Sequence, residues 1–254
     1  SIYKDGARIN NPLNASNIPS TETANIDRID VLKGSSALLY GEGKPGGIIN
    51  YITKRPEVER RSSVEVLYGS DAFKKVEFDT TGSFGGDDLF AYRLVGAYED
   101  SENYRDEVER ERLLLNPTLA FMPNDRAEIV LGYEYIDDEY TQDRGQVLAG
   151  DEVQGYSYSS RLDPEQFFGI PGWNSETNAE SERIYLIADF QVNDVWQVSA
   201  NFSRTENDKV NFDSSPLTIG PDGAVVGAVG TDVADEVRIR PRKTDGEGET
   251  ERYK

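Results

Sequence analysis

Gly41-Glu42-Gly43-Lys44-Pro45-Gly46 has the G-x-G-x-x-G spacing of a dinucleotide-binding loop. Such a loop works only between a strand and a helix whose N-terminal amides meet a pyrophosphate. Here Pro45 interrupts it, and Ile48-Ile49-Asn50-Tyr51-Ile52 continues as β-type sequence. Lys44 precedes Pro rather than Ser or Thr, so no phosphate-binding Walker motif can be made either. The glycines read as turn formers between two strands. The remaining chemistry-bearing groups are mostly carboxylates, 47 Asp and Glu against 27 Lys and Arg, with no His and no Cys. Histidine-based triads, histidine-ligated zinc, thiolate sites and disulfides are therefore excluded. Carboxylates are so abundant that no glycosidase pair stands out. Asp137-Asp138-Glu139 lacks the spacing and the glycine of a calcium loop. A net charge of −20 argues against a nucleic-acid surface. One aromatic grouping remains: Tyr156, Tyr158, Phe167, Phe168 and Trp173 fall within a single polar stretch. It suits closure over an aromatic ligand, or packing of a loop on itself.

The elements that would position these residues separate by charge. Residues 1–56 carry seven basic and five acidic side chains, the other 198 carry 20 and 42. Two differently built regions, 1–56 and 57–254, meet near Pro56. From Ser62 onward the chain falls into period-two alternation, the mark of half-buried strands. Val64, Val66 and Tyr68 share one face; so do Val76, Phe78 and Phe84, with Lys75, Glu77, Asp79 and Thr81 opposite. Phe90 to Tyr98, Leu113 to Phe121, Ile129 to Tyr135, Ile184 to Phe190 and Trp196 to Phe202 repeat the pattern. An eighth strand is expected to begin near Glu249. Short turns (85–88, 123–126, 193–194) alternate with long connections expected at Asp100–Glu111, Asp137–Glu182 and Glu206–Gly248. That asymmetry is typical of outer-membrane barrels, and the charged faces suit a filled lumen better than a sandwich core. Mean hydropathy is −0.62. No apolar run approaches the roughly 18 residues of a spanning helix, which leaves spanning strands open. A soluble β-sandwich or propeller with core aromatics is the alternative.

Ordered motifs in residues 1–56 carry a family resemblance. Asp5-Gly6 followed by Arg8, Ile26-Asp27-Arg28-Ile29-Asp30-Val31-Leu32-Lys33-Gly34, Leu39-Tyr40-Gly41, Pro45-Gly46-Gly47, Ile49-Asn50 and Thr53-Lys54-Arg55-Pro56 occur in sequence. This block resembles the C-terminal half of the plug domain of TonB-dependent outer-membrane siderophore receptors. Ser35 stands where that family most often has Pro. The resemblance continues, less specifically, through Tyr92-Arg93-Leu94, Asn116-Pro117 and Asp143-Arg144-Gly145.

The resemblance implies an all-β chain with a small α+β plug portion: residues 1–56 as the C-terminal half of the plug, 57–254 as the N-terminal part of a transmembrane antiparallel barrel. A plugged lumen takes about 22 strands, so about 14 more strands, a signal peptide, the other plug half and a TonB box are expected beyond this sequence. It implies a bacterial outer-membrane receptor, not an enzyme, with a ferric siderophore as ligand, iron only as that cargo and no cofactor. The TonB-ExbB-ExbD complex would energise it through that box. Cobalamin, haem or an oligosaccharide is the alternative ligand. Arg8, Asn10, Asn11 and Tyr40 are the expected plug contacts, with a strand-face ion pair as the other reading of Arg8. Tyr156, Tyr158 and Trp173 are the expected loop contacts. Arg28 and Arg55, in a water-poor lumen, are expected to pair with inward barrel carboxylates and lock the plug. The acidic outer loops would bridge to lipopolysaccharide through divalent cations, or serve only as solvated surface.

Overall fold

The computed structural model describes residues 1–9, 21–34, 47–85, 88–143, 148–150, 156–158, 165, 176–216 and 239–253; for 148–150, 156–158, 176, 211–216 and 239–253 the backbone alone is described. All their regular elements are strands. A small sheet is formed by β1 (Ile2–Lys4), β2 (Ala7–Arg8), β3 (Ile26–Leu32) and β4 (Ile48–Thr53), in the order β2-β1-β4-β3. The β1–β2 hairpin closes at Asp5-Gly6, where φ is 50° and 79°. Positive φ at both central residues is the signature of a type I′ turn, whose twist matches that of a tight hairpin. β1 then runs parallel to β4, and β3 antiparallel to it.

The large sheet is an antiparallel meander of β5 (Arg61–Tyr68), β6 (Lys74–Phe84), β7 (Phe90–Glu102), β8 (Glu109–Asn124), β9 (Ala127–Thr141), β12 (Glu176–Gln191), β13 (Gln197–Pro216) and β14 (Ile239–Tyr253). Between β9 and β12, β10 (Leu148–Gly150) and β11 (Tyr156–Tyr158) form a separate hairpin.

Its two faces reverse the usual arrangement. Leu113, Leu115, Leu119, Leu131, Ile184, Leu186, Phe190 and Val198 are exposed. Lys75, Arg93, Asn116, Thr118, Glu134, Asp138, Arg183 and Tyr185, on the other face, are buried. Alternation alone sets this, because successive side chains of a strand point to opposite faces. Toward the short turns the exposed face ends in an aromatic row: Phe84, Phe90 and Phe121 lie 5.6 and 5.2 Å apart between ring centres. Aromatic rows of this kind mark a membrane–water boundary.

The small sheet sits against the polar face, where side chains small enough for close approach form the core. Ala24 packs with Val95, Ala97, Leu114 and Ile136. Nearer the short turns, Ala91, Ala120, Val130, Tyr185 and Ile187 form a second cluster. Gly132 belongs to it by necessity, since a Cβ there would run into the ring of Tyr185, its cross-strand partner.

The strands outrun the expected connections. β7 continues to Glu102 and β8 starts at Glu109; β9 runs to Thr141 and β12 starts at Glu176; β13 runs to Pro216. β14 begins at Ile239, ten residues before the expected start at Glu249. A tilted strand needs only about 10 residues to cross the hydrocarbon layer. β8, β12 and β13 have 16, 16 and 20. Beyond the apolar band both faces are polar, so alternation disappears while the backbone ladder continues.

Candidate functional site

The contact between the two sheets is a ladder of charges in three levels, ordered from the short turns toward the long connections. At the middle level Lys4, at the end of β1, sets its ammonium 2.6 and 2.7 Å from the two oxygens of Glu134 on β9. The Asn25 amide donates to the same carboxylate at 2.6 Å and to Asn116 Oδ1 at 3.3 Å. Asn116 in turn donates to the Tyr133 carbonyl at 2.7 Å. Lys4 and Glu134 are 3% and 4% exposed, so neither charge has bulk water to replace its partner.

The Asp5-Gly6 turn completes this level. Asp5 Oδ1 accepts the Thr53 amide at 2.8 Å, and Oδ2 accepts Arg183 Nη2 at 3.0 Å. The Asn201 amide donates to the Asp5 carbonyl at 2.5 Å. Arg183 lies with its guanidinium carbon 4.4 Å from the centre of the Tyr185 ring. Its Nε and Nη1 find no hydrogen-bond partner among the described residues, so its charge rests on the carboxylates of Asp5 and Glu134 and on the ring.

At the level of the short turns, Arg93 forks onto Asp79 at 2.7 and 2.9 Å, and Nη1 reaches the Arg55 carbonyl at 2.8 Å and Glu57 at 3.0 Å. Lys54 also binds Asp79, at 3.0 Å. Arg55 Nη1 donates at 2.6 Å to both Glu128 and Asp189. Burial works against the Arg55 cation, yet the carboxylates of Asp189 and Glu128 hold its affinity for the proton above the ordinary value.

At the level of the long connections, Glu22 receives Lys75 at 2.7 Å, Arg112 at 3.3 Å and the amides of Thr23 and Ala24 at 2.8 and 3.2 Å. Burial pushes its pKa up, but the bond to Lys75, that ammonium's charge and the two amides outweigh it, so the net shift is downward.

The residues expected from sequence to form a site are distributed unevenly over this frame. Arg55 is in the ladder. Arg28, on β3, is well exposed; its ion pairs among the described residues are with Asp27 and Asp30 of its own strand, both at 3.4 Å. Arg28 and Arg55 line one cleft of about 480 Å³ with Asp27, Thr53 and Asn201. Arg8 is half-buried on β2, opposite Tyr3. Tyr156 and Tyr158 lie on β11, where they pair with Gly150 and Leu148. Asn10, Asn11, Tyr40, Phe167, Phe168 and Trp173 lie outside the described residues. Lys4, Asp5, Glu22, Asn25, Glu134 and Arg183 are not among the site residues expected from sequence. Parity along β9 and β12 puts Glu134 and Arg183 on the inward face, but nothing local identifies their partners 130 and 178 residues away. Among the described residues no group of three or more Asp or Glu could hold a metal ion.

An antiparallel wall with an apolar outer face and a charged inner face, filled from inside by a separate small sheet, is the architecture of part of a plugged β-barrel. The comparisons agree with that class. Residues 1–48 match the TonB-dependent Receptor Plug Domain. The metal-pseudopaline receptor CntO of Pseudomonas aeruginosa is 29% identical over 179 residues, covering 70% of this chain and 24% of that protein. The Escherichia coli catecholate siderophore receptor Fiu is 26% identical over 219 residues, 82% of this chain and 28% of that protein. Its crystal structure in the closed form superposes with a TM-score of 0.80 at 21% identity, over 98% of this chain and 35% of that one. The pyoverdine receptor FpvA of P. aeruginosa, bound to pyoverdine, superposes at 0.82 with 21% identity, over 98% and 35%. The chain is similar to TonB-dependent receptors of the bacterial outer membrane, carries their plug-domain match in residues 1–48, and spans about a quarter of the length of the curated relatives it matches. Both of these relatives are named as receptors.

Proposed function

We propose that this chain supplies plug and wall to an outer-membrane receptor that imports ferric siderophores, energised by the TonB-ExbB-ExbD complex, with iron entering only as chelated cargo. The observation that carries the transport reading is the buried ladder around Lys4, Asn25 and Glu134. A lumen closed by apolar packing would open at the cost of hydrating that surface. A lumen closed by ion pairs and amides can exchange those partners for water, which suits a plug that must rearrange and reseat. The siderophore part is supported by the names of the relatives, which bind metal-pseudopaline, catecholate siderophores and pyoverdine.

In this reading Arg8, Asn10, Asn11 and Tyr40 contact the cargo from the plug, and Tyr156, Tyr158 and Trp173 close over it from the long connection after β9. Arg55, held by Glu128 and Asp189, helps lock the plug to the wall, and Arg28 locks it to strands outside this sequence. The test is uptake of radiolabelled iron as its siderophore complex by a strain that lacks the receptor and is complemented with the full-length gene. Uptake that needs both the gene and TonB is expected; accumulation equal to that of the empty-vector strain for every ferric chelate tried would overturn the proposal. Trp173→Ala with Tyr158→Ala should weaken binding in the same receptor, and unchanged affinity would remove the loop residues from the site.

A further inference from the structure

Above the Glu22 level, where the wall rises beyond the small sheet, three side chains on the inward face form a unit that the ladder does not use. Arg110 on β8 lies with its guanidinium carbon 5.6 Å from the centre of the Tyr140 ring on β9. Lys209 on β13 brings its ammonium to the same 5.6 Å from that ring and donates to the Tyr140 hydroxyl at 3.0 Å. One tyrosine thus meets two cations 99 positions apart in sequence, one at its ring and one at its hydroxyl.

Asp138 fixes how Arg110 presents itself. Nε and Nη2 form a side-on fork to the two Asp138 oxygens, both at 2.8 Å. Arg112 forks onto the same carboxylate at 3.1 and 3.0 Å. One buried carboxylate therefore serves two guanidinium groups, and Arg110 keeps Nη1 without a protein partner among the described residues. Arg110 is 39% exposed in its side chain, against 12% for Arg112. Lys209 has no carboxylate partner among the described residues. Elsewhere on this wall inward cations have such partners: Lys75, Arg93, Arg112 and Arg183 each meet at least one.

We propose that Arg110 and Lys209, held in place by Tyr140 and Asp138, form a subsite for the anionic oxygens of the cargo, and that the cargo is accordingly a negatively charged ferric chelate rather than an uncharged one. This deepens the siderophore reading and rests on it. Two positive groups kept half-open on the lumen wall are out of character for a region carrying 20 basic and 42 acidic side chains, unless an anion meets them. Arg110 is pre-organised: its fork is oriented before a ligand arrives, so little side-chain entropy is lost on binding. An uncharged chelate would gain nothing from either cation and would leave both partly desolvated.

The test uses the purified full-length receptor and two probes, an iron(III) tris-catecholate, which is trianionic, and an iron(III) tris-hydroxamate, which is uncharged. Affinity is read by quenching of intrinsic fluorescence for the wild type, for Arg110→Gln with Lys209→Gln, and for Glu111→Gln as an outward-facing control beside Arg110. The wild type should prefer the anionic complex, with an affinity that falls as salt rises. The double variant should lose roughly 10- to 100-fold for that complex, as expected for one or two charge-assisted hydrogen bonds, and the control should lose none. An unchanged affinity in the double variant, or a wild type that prefers the uncharged complex, overturns the subsite while leaving siderophore import intact. A correctly folded wild type that binds neither complex overturns the import reading, and the subsite with it.

Discussion

The two faces of one sheet obey opposite rules, although they alternate residue by residue along the same strands. On β9, Leu131 and Glu134 are three residues apart; the first is half exposed, the second buried. On β12, Ile184 faces out beside Arg183, which faces in. On the outward side the surroundings have no hydrogen-bonding capacity, so any polar group is costly and apolar side chains are left uncovered. On the inward side the partner is a second piece of protein built with matching charges, so polarity is retained but must be paired. Burial therefore means different things on the two faces, and a hydrophobicity count over the whole strand averages the two into an unremarkable number.

That contrast breaks most easily at Glu134. Replacing it with Ala leaves the Lys4 ammonium and the Asn25 amide buried without their acceptor, which should cost about 3–5 kcal/mol of plug seating. In the full receptor, limited proteolysis should then cleave plug residues that the wild type protects; equal protection would show that the ladder does not hold the plug. The matching break on the other face is Leu131→Arg. A charge placed toward lipid costs about 2–4 kcal/mol at mid-membrane and about 0–1 kcal/mol at the interface. Leu131 lies one outward position in from the Phe121–Ile129 pair of the aromatic row, so thermal unfolding in detergent should shift downward by an amount between these limits, while Leu131→Val should leave it nearly unchanged.

Smaller effects sharpen the comparison within the ladder. Arg55 is 39% exposed in its side chain, unlike the fully enclosed Lys4. Water screens its two ion pairs, so Arg55→Ala should weaken seating by about 1 kcal/mol or less. High salt should abolish most of that difference and little of the Glu134 effect; equal salt sensitivity would contradict the ranking by burial. The smallest effect concerns Glu22. Its carboxyl is held below the usual carboxylate range, so its contribution to seating is complete above about pH 4–5 and is lost as pH falls through the lower, folded-state value. Protease protection of the plug should therefore decline on acidification more steeply in the wild type than in Glu22→Gln, whose neutral amide has nothing to titrate.

Much of the wall can be read from sequence because alternation is a local signal: Val76, Phe78 and Phe84 against Lys75, Glu77 and Asp79 are enough to assign both faces of β6. The Asp5-Gly6 turn is equally local, since an Asp-Gly pair readily takes positive φ twice in succession. The outer strand ends are not legible, because beyond Tyr98 on β7 or Ile136 on β9 both faces are polar and the period vanishes. β10 and β11 are too short, at three residues each, to show a period at all. The ladder is hidden for another reason. Parity says that Glu134 faces inward, but which plug residue meets it depends on how two sheets dock, and Lys4 carries no mark distinguishing it from a solvated lysine. Arg110, Tyr140 and Lys209 are scattered in sequence for the same reason, and only the registers between β8, β9, β12 and β13 bring them together.

The central claim, that the apolar face meets lipid and the charged face meets the plug, can be tested directly: residues 1–254 contain no cysteine, and any elsewhere in the full receptor is first replaced by serine. Single cysteines placed in the full receptor at Leu131, Ile184 and Val198 on one face, and at Ser181, Ser203 and Thr205 on the other, can be spin-labelled in reconstituted membranes. Labels at the first three should relax strongly with oxygen, which concentrates in lipid, and weakly with a water-soluble nickel chelate. Labels at the second three should be shielded from both. Strong oxygen relaxation at Ser181, Ser203 and Thr205, or its absence at Leu131, Ile184 and Val198, would contradict the account.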